Sequence, residues 1–394
     1  MRHSCSATCG VVVASFALGC GQSPGLSRTC SGLSLDGASL VLLSTYQVSG
    51  LGRIDTDGCL TEVPDIALGT DPALSGSGDH VFAVARIEEL VHEIDPDNLS
   101  FGRTFVPYTE AEIEETHVLE CNQQIVKGTN PQDVDVDADG RLWIARLNKP
   151  TVAILESDGS FSATVDLSSF ADADGLPEAS AVHVVGDRAY VTIERLDRCD
   201  NWWPTGPGLI AEIDVATRMV VKSIELGGAN PFGRMVPAPW DLSGNTVALA
   251  LPGRILEIND GDAAAIVNLK SGDVTGFGRE ADLGGSVAEV ALAAPDEAYM
   301  IVTNADDPTI NATSVVRIDP QTGQVAAKLL DSRTSSEPGG GYCHRGLAVV
   351  GPHVLVGSNT PCETGVVVLE RQTGQQVGVI RPSKLPPIAF QAVP

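Results

Sequence analysis

A run of aspartates at every second position is the first group in this sequence whose spacing could do chemistry. Asp133, Asp135 and Asp137 alternate with valines. On a β-strand such side chains share one face and would offer the oxygen ligands that Ca²⁺ prefers. An EF-hand is excluded, because a loop starting at Asp135 needs Glu at the position of Arg146. Residues 172–175 are a shorter copy. Turn formation explains the Asp-Gly pairs equally well, so the sequence predicts no cofactor and leaves calcium open.

A second group combines aromatic and polar side chains between residues 196 and 208. Its members are Arg198, Asp200, Asn201, Trp202 and Trp203. Tryptophan faces can stack on a sugar ring or an aromatic side chain while polar neighbours form hydrogen bonds. The competing interpretation is that both tryptophans fill the centre of the molecule or pack over a disulfide. The segment is therefore a candidate ligand-binding loop.

Several function classes lack support. The sequence contains no HExxH, P-loop or CxxC motif, and residues 284–288 depart from G-x-S-x-G at the last position. The formal net charge of −26 is not offset by any run of Lys or Arg, which excludes nucleic acid as a partner. The sequence favours a role other than catalysis.

Seven hairpin segments recur along the chain and indicate which elements position these groups. In each, a strand ends in an acidic or polar residue and a short turn leads straight back. The strands end at Asp55, Asp95, Glu156, Asp214, Lys270, Asp319 and Glu370. Their mean period is about 52 residues, which for a repeat made of strands predicts a β-propeller. We therefore expect an all-β protein of seven blades with four antiparallel strands each, although an irregular fifth blade leaves six or eight open.

The two ends of the predicted ring complement each other. The first blade starts at residues 39–43, which match the second strand of the other blades, and residues 387–393 supply the missing inner strand. We expect the C-terminal strand to pair into the first blade, which removes two exposed sheet edges. The predicted blades cover residues 37–68, 70–108, 130–168, 176–227, 230–284, 286–331 and 344–383.

Inner strands line the axis of a propeller, so their first residues would face a central channel. Alignment of the inner strands places five side chains at comparable height, with His344 beside the last of them. These are Asp133, Ser180, Ala238, Glu289 and Arg345. They could hold a polar ligand or a cation, or form a solvated rim with ordinary ion pairs. A divalent metal on Asp133, Glu289 and either His344 or His183 would instead make a lactonase-like hydrolase or lyase.

The first residues predict export and lipidation. Residues 1–19 have the apolar stretch of a signal peptide, and the segment ending in Cys20 resembles a bacterial lipobox. An ordinary secretory leader is the alternative. We expect a tether at residues 20–36, a single propeller domain at residues 37–394, and membrane attachment through the lipid alone. Gly21 after the cysteine favours the outer membrane, and the sequence leaves open which face of that membrane the protein occupies. We expect a monomer.

Six cysteines remain after the leader and the lipidated residue, an even number that predicts disulfides in an exported protein. Blade topology selects one of the fifteen connectivities. The predicted pairs are Cys30 with Cys59, Cys121 with Cys199, and Cys343 with Cys362.

Several short motifs resemble YVTN-type repeats of bacterial YncE-like propellers. They are Tyr190 to Ile193, Ile301 to Asn304, the hairpin from Ile318 to Val325, and the Asn130-Pro131 entry. The resemblance implies a seven-bladed propeller outside the cytoplasm and brings no catalytic motif. The long loops at residues 109–129 and 196–208 lie on one predicted face. Together with the resemblance, these loops favour an envelope-anchored binding or scaffold module for a protein or glycan.

Overall fold

The structure is a computed structural model that describes residues 26–119, 121–255, 257–304, 311–334 and 340–393. The predicted signal peptide and the predicted lipidation site Cys20 lie outside the described residues. No helix among the described residues is long and apolar enough to cross a membrane.

Seven antiparallel sheets form a closed seven-bladed β-propeller, and each blade runs from an inner to an outer strand. The strands of blades 1 and 2 are β1 (Ser27–Cys30), β2 (Ser39–Ser44), β3 (Ser49–Ile54), β4 (Cys59–Ile66), β5 (Pro72–Ser77), β6 (His80–Ala85), β7 (Leu90–Asp95) and β8 (Ser100–Phe105). A loop follows with α1 (Glu110–Glu114), β9 (His117–Val118) and β10 (Ile125–Val126). Blade 3 comprises β11 (Pro131–Val136), β12 (Leu142–Arg146), β13 (Thr151–Leu155) and β14 (Phe161–Asp166).

The remaining blades repeat this plan. Blade 4 comprises β15 (Ala179–Val185), β16 (Arg188–Ile193), β19 (Leu209–Asp214) and β20 (Met219–Glu225), with β17 (Leu196–Asp197) and β18 (Trp203–Pro204) in its loop. Blade 5 comprises β21 (Phe232–Pro237), β22 (Thr246–Ala250), β23 (Asp262–Asn268) and β24 (Asp273–Arg279), followed by α2 (Glu280–Leu283). Blade 6 comprises β25 (Gly285–Ala294), β26 (Glu297–Asn304), β27 (Asn311–Asp319) and β28 (Gln324–Asp331), with the short parallel β29 (Gly340–Gly341) beside β27. Blade 7 comprises β30 (His344–Val350), β31 (His353–Ser358), β32 (Gly365–Glu370) and β33 (Gln376–Ile380).

The closing strand β34 (Pro387–Ala392) confirms the predicted ring closure. It pairs antiparallel with β2, so Phe390 lies opposite Val41 in the inner position of blade 1. On the other edge of the same blade, β1 pairs with β4 inside the segment predicted as a tether. Blade 1 thus has five strands built from two distant parts of the chain.

Apolar side chains pack between neighbouring blades and form the core. Trp143 and Ile154 of blade 3, for example, are fully buried against Val191 of blade 4. The β-branched content and the alternation of the strands suit this packing, because each sheet buries both of its faces against its neighbours. The rigid ring leaves functional variation to the loops and the channel.

Blade 5 is a regular four-stranded sheet, so the count of seven holds. Its sequence looks irregular because the β21–β22 pairing shifts register between Phe232 and Val236. Gly233 lies in this stretch with a φ of 77°, a conformation that favours glycine.

All three predicted disulfides are confirmed. Their Cα–Cα distances are 4.0 Å for Cys30–Cys59, 5.9 Å for Cys121–Cys199 and 5.6 Å for Cys343–Cys362. The second bond joins the blade 2–3 connection to the blade 4 loop. We call the side of the ring that carries the blade-to-blade connections and the loops between second and third strands the loop face.

Candidate functional site

Asp133 at the channel links its own blade 3 to three other blades. Its carboxylate accepts hydrogen bonds from Ser75 Oγ of blade 2 at 2.5 Å and from the Val182 backbone N–H of blade 4 at 3.1 Å. Arg234 Nε of blade 5 lies 3.3 Å from the same carboxylate. Because Asp133 is buried and bound on every side, it holds neighbouring blades rather than facing an open channel.

Arg234 crosses the channel and is the residue that sequence reasoning missed there. Its guanidinium donates to the Gly76 carbonyl of blade 2 at 3.0 Å and to the side-chain oxygen of Gln391 on β34. The alignment of the inner strands predicts Ala238 at this height, which is wrong: Ala238 lies beyond the end of β21, where its N–H donates to the Thr246 carbonyl at 2.8 Å. The register shift in β21 accounts for the error.

Asp135 and His183 form a second link between blades 3 and 4. The Asp135 carboxylate accepts from the Val184 N–H at 2.7 Å and from His183 Nδ1 at 3.1 Å, while His183 Nε2 donates to the Gly244 carbonyl at 2.9 Å. Burial opposes a charged ring, but the hydrogen bond and charge of Asp135 outweigh it, so the pKa of His183 is raised. An imidazole that uses both nitrogens as donors cannot coordinate a metal.

Asp137 is also used inside the protein. Its carboxylate binds Arg141 at 2.8 Å and Trp143 Nε1 at 3.0 Å, and it lies beyond the end of β11. The three alternating aspartates therefore fix strands and turns, each with its own partners.

Glu289 links blades 6 and 7. It accepts a hydrogen bond from the Gly346 N–H at 2.8 Å. Enclosure by the channel walls raises the pKa of Glu289 to about 7, although part of the side chain still reaches channel solvent. Ser180, predicted at the same height, is bound to Thr192 at 2.9 Å and to the Pro231 carbonyl at 3.1 Å.

Arg345 and His344 point to separate partners. The Arg345 guanidinium hydrogen-bonds to the Tyr46 hydroxyl and lies 4.9 Å from the centre of its ring. His344 is buried with Nδ1 3.0 Å from Thr313 Oγ1, and burial lowers the pKa of His344 to about 4. Arg345 and His344, which the sequence predicts as candidate residues for binding a polar ligand, thus already have partners within the protein.

The channel metal site of the alternative hydrolase or lyase interpretation does not assemble in the part of the chain that the structure describes. There, only one group of three or more potential ligands has its ligand atoms within 4.8 Å of one another, and it lies on the loop face. Its members are Asp172, Asp174 and Asp197. Asp133, Glu289 and either histidine are thus not brought together, and the hydrolase or lyase alternative is not favoured.

The Arg234 contacts predict a measurable stabilisation of the ring. Replacing Arg234→Met leaves the buried Asp133 without its cation and the Gly76 carbonyl without its donor, so we expect the free energy of unfolding to fall by about 1–3 kcal/mol. Arg188→Met is the matched control, because its side chain is similarly exposed, 29% against 31%, but forms ion pairs within blade 4 with Asp187, Glu212 and Asp214.

We expect this control to cost about 1 kcal/mol or less. Urea denaturation of both variants measures the difference. Equal losses would contradict a special role for the arginine that crosses the channel.

On the loop face, the first long loop is anchored to blade 3. Helix α1 begins with a capping box in which Thr109 and Glu112 bond each other's backbone N–H groups. Arg146, whose side chain is fully buried, reaches Glu112 Oε1 at 3.0 Å. The polar residues of the predicted loop at 109–129 therefore form a structured element.

Arg198 is the centre of the second loop and is buried rather than available to a ligand. Its guanidinium binds the Glu178 carboxylate at 3.1 Å and approaches Asp174 at 3.7 Å. It also donates to the Asn148 side-chain oxygen at 3.0 Å and to the Leu147 carbonyl at 2.8 Å. The sequence predicts Arg198 as a ligand-binding residue, whereas in the structure its side chain is buried and supports the loop.

The two tryptophans differ in exposure. Trp202 is 45% exposed, and the Arg198 guanidinium lies 4.4 Å from its ring centre. Trp203 is half-buried, and the Arg254 guanidinium of blade 5 lies 3.7 Å from the centre of its ring. Neither ring fills the channel, and Arg254, which is 51 residues from Trp203 in the sequence, carried no sequence signal.

Asp200 and Asn201 are both exposed beside Trp202. They lie in the turn that joins β17 to β18, where the Asp200 carbonyl accepts from the Trp203 N–H at 3.1 Å. Their side chains are therefore free to meet a partner. On the loop face, four of the five residues that the sequence predicts for this loop lie together, and the fifth, Arg198, is buried beneath them.

An acidic cluster lies below this loop. Asp172, Asp174 and Asp197 accept hydrogen bonds from backbone N–H groups, and burial together with the charge of Asp174 raises the pKa of Asp172. Burial, reinforced by Asp174 and only partly offset by Arg198, raises the pKa of Glu178 to about 9. The carboxylates could bind a cation, but their contacts already order the loop.

Comparison with known proteins shows the fold of this chain but neither a family nor a function. No protein-family model matches this chain, and no curated protein matches it. The solved β-propeller domain of Cps50 (Swd1) from Myceliophteria thermophila is similar, with 12% identity, a TM-score of 0.52 and coverage of 90% of this chain and 96% of that chain. Hydrazine synthase of Kuenenia stuttgartiensis is similar with 12% identity, a TM-score of 0.51, and 90% and 99% coverage. Proteins of such different names share the ring, so the ring does not select a function.

Proposed function

We propose that this protein is a binding or scaffold module that recognises a protein or glycan through its loop face. The observation that carries the proposal is the position of Trp202. Its ring is 45% exposed and rests on the buried Arg198 guanidinium, in a hairpin tied by the Cys121–Cys199 disulfide. An aromatic surface that is already held in place loses little conformational entropy on binding.

The surroundings of Trp202 support the same reading. Asp200 and Asn201 are exposed beside the ring and offer hydrogen-bonding groups next to an aromatic face. Leu119, Val126 and Leu176 form a small apolar cluster against Cys199 beneath the loop. The site is therefore an aromatic contact with polar neighbours on a rigid base, the composition that interfaces concentrate at their centres.

The proposed setting is the bacterial cell envelope. We infer it from the leader at residues 1–19, the lipobox-like segment ending in Cys20, the tether at residues 20–36 and the YncE-like repeat motifs. The propeller of residues 37–394 would be attached by the lipid alone, with the outer membrane as the proposed location. The acidic net charge of −26 argues against nucleic acid as the partner.

Capture from envelope extracts tests the proposal. The purified propeller is immobilised, incubated with extract and with a glycan array, and compared with Trp202→Ala. We expect the variant to retain about a tenth of the wild-type capture, since loss of a central aromatic contact commonly costs over 1 kcal/mol.

Trp240→Ala is the matched control, because Trp240 is also exposed, at 37%, but lies between β21 and β22 on the opposite face of the ring. It should capture as the wild type does. Equal capture by both variants, or equal loss, would contradict recognition through the loop face.

A further inference from the structure

A cleft between blades 4 and 5 opens beside the tryptophan loop. Its volume is ≈ 200 Å³, and its wall is mostly bare backbone. The residues that line it include Pro207, Gly227, Gly228, Gly253, Gly261 and Asp262. Pro207 belongs to the loop that carries Trp203, and Gly253 precedes Arg254, which stacks on Trp203 at 3.7 Å. The cleft is therefore continuous with the proposed recognition surface.

The Asp262 carboxylate projects into this cleft in a position that the glycines make accessible. A Cβ on Gly227, in the connection between the two blades, would collide with Asp262 Oδ2, and so would a Cβ on Gly276 of β24. A side chain on Gly228 would collide with the Asp262 carbonyl. Two glycines in the connection between the blades and one on β24 thus leave room for one acidic residue, which fixes where its charge lies.

This carboxylate has no cation of its own. Among the described residues, no Lys, Arg or His nitrogen lies within 4.0 Å of Asp262, although Arg279 is its direct neighbour across the β23–β24 pair. The nearby Arg254 is instead directed to Trp203 and to Glu257, at 3.6 Å. Asp262 also has no hydrogen-bond donor from the described part of the chain. The Asp262 side chain is half-buried, so its carboxylate remains able to pair with a cation from outside the protein.

We propose that the cleft takes a lysine or arginine side chain from a basic segment of the partner, with its cation paired to Asp262. The inference rests on the proposed recognition through the loop face and names the chemistry of the partner. The net charge of −26 would steer a cationic segment toward this surface. Among the residues that line the cleft, Asp262 is the only one with a charged side chain, so a cation that enters meets no repelling group there.

Binding of acetyl-tetralysine amide, measured by calorimetry at low ionic strength, tests the assignment. We expect Asp262→Asn to weaken binding about tenfold. The matched control is Asp260→Asn, which removes the same charge from an exposed neighbour outside the cleft and should change the affinity by less than about twofold. Equal effects of the two variants would show general attraction to an acidic surface and would overturn the proposal.

Two further arms separate shape from charge. Ala229→Leu narrows the cleft while leaving Asp262 in place, and it should also weaken binding. If 1,5-diaminopentane binds as tightly as the peptide, the site takes a small amine and the assignment to a protein segment fails. Wild-type affinity of Asp262→Asn, together with partner capture that still depends on Trp202, would overturn this inference alone and leave the proposed function standing.

Discussion

Replacing Arg198→Met should lower the free energy of unfolding by about 3–5 kcal/mol, because it leaves the buried Asp174 carboxylate without its cation and several buried oxygens without their hydrogen-bond donor. The Arg198 side chain is only 3% exposed, and the side chains of Asp174 and Glu178 are completely buried around it. The methionine keeps most of the volume but supplies none of the four contacts to Glu178, Asp174, Asn148 and the Leu147 carbonyl. Urea denaturation at neutral pH measures the loss.

Arg254→Met is the matched control for this prediction. Both arginines stack on a tryptophan of the same loop, but the Arg254 side chain is 42% exposed and its ion pair with Glu257 is long. We expect a loss of about 1 kcal/mol or less from it. Arg198→Lys should recover only part of the stability, since an ammonium group cannot reach the carboxylates and both oxygens across the loop at once. Similar losses for Arg198→Met and Arg254→Met would contradict a buried role for Arg198.

Glu178→Gln should become more stable relative to the wild type as the pH rises from 5 to 9. Burial raises the pKa of Glu178 from 4.5 to about 9, so the folded protein binds a proton there that the unfolded chain releases. The stability that this proton contributes is complete below pH 4.5 and is lost as the pH rises through the folded value. Glutamine does not titrate and does not lose it.

The size of this change follows from the width of that pH interval. Each pH unit between the two pKa values corresponds to about 1.4 kcal/mol at most, and relaxation of the loop around the charged carboxylate reduces the sum, so we expect a relative gain of about 2–4 kcal/mol. Urea denaturation of both proteins at several pH values gives the difference curve. The exposed Glu225→Gln is the control and should show a flat difference curve. A flat curve for Glu178→Gln as well would refute the protonated state of Glu178.

The ring was predictable from the sequence because its signals are local and repeated. Seven hairpins with a regular spacing give the blade number, and the strand missing from blade 1 reappears at residues 387–392. The cysteine pairs followed from the same topology. The helix α1 and the strand β1 were not predicted, since each is stabilised by a neighbour that is distant in the chain.

The channel was less predictable, for a geometric reason. Strand alternation indicated that Asp133 lies at the channel but not that Ser75, Val182 and Arg234 surround it, because those partners come from three other blades. The Asn230-Pro231 entry resembles Asn130-Pro131 and was the available signal for Arg234. From Phe232 to Val236 the strand β21 advances four residues while its partner β22 advances only two, so a count along the strand misses Arg234. The exposure of Trp202 was not predictable from the sequence either, because it depends on the burial of Arg198 beneath the ring.

The pairing of β34 with β2 has a consequence for the order in which the protein is made. Residues 39–44 are synthesised early but acquire their inner neighbour only when residues 387–392 emerge. Any nascent chain interrupted before that point presents β2 as an open edge, with unpaired backbone groups that proteases and other unfinished chains can bind. The state of the β2 edge, paired or open, therefore distinguishes a finished molecule from a truncated one.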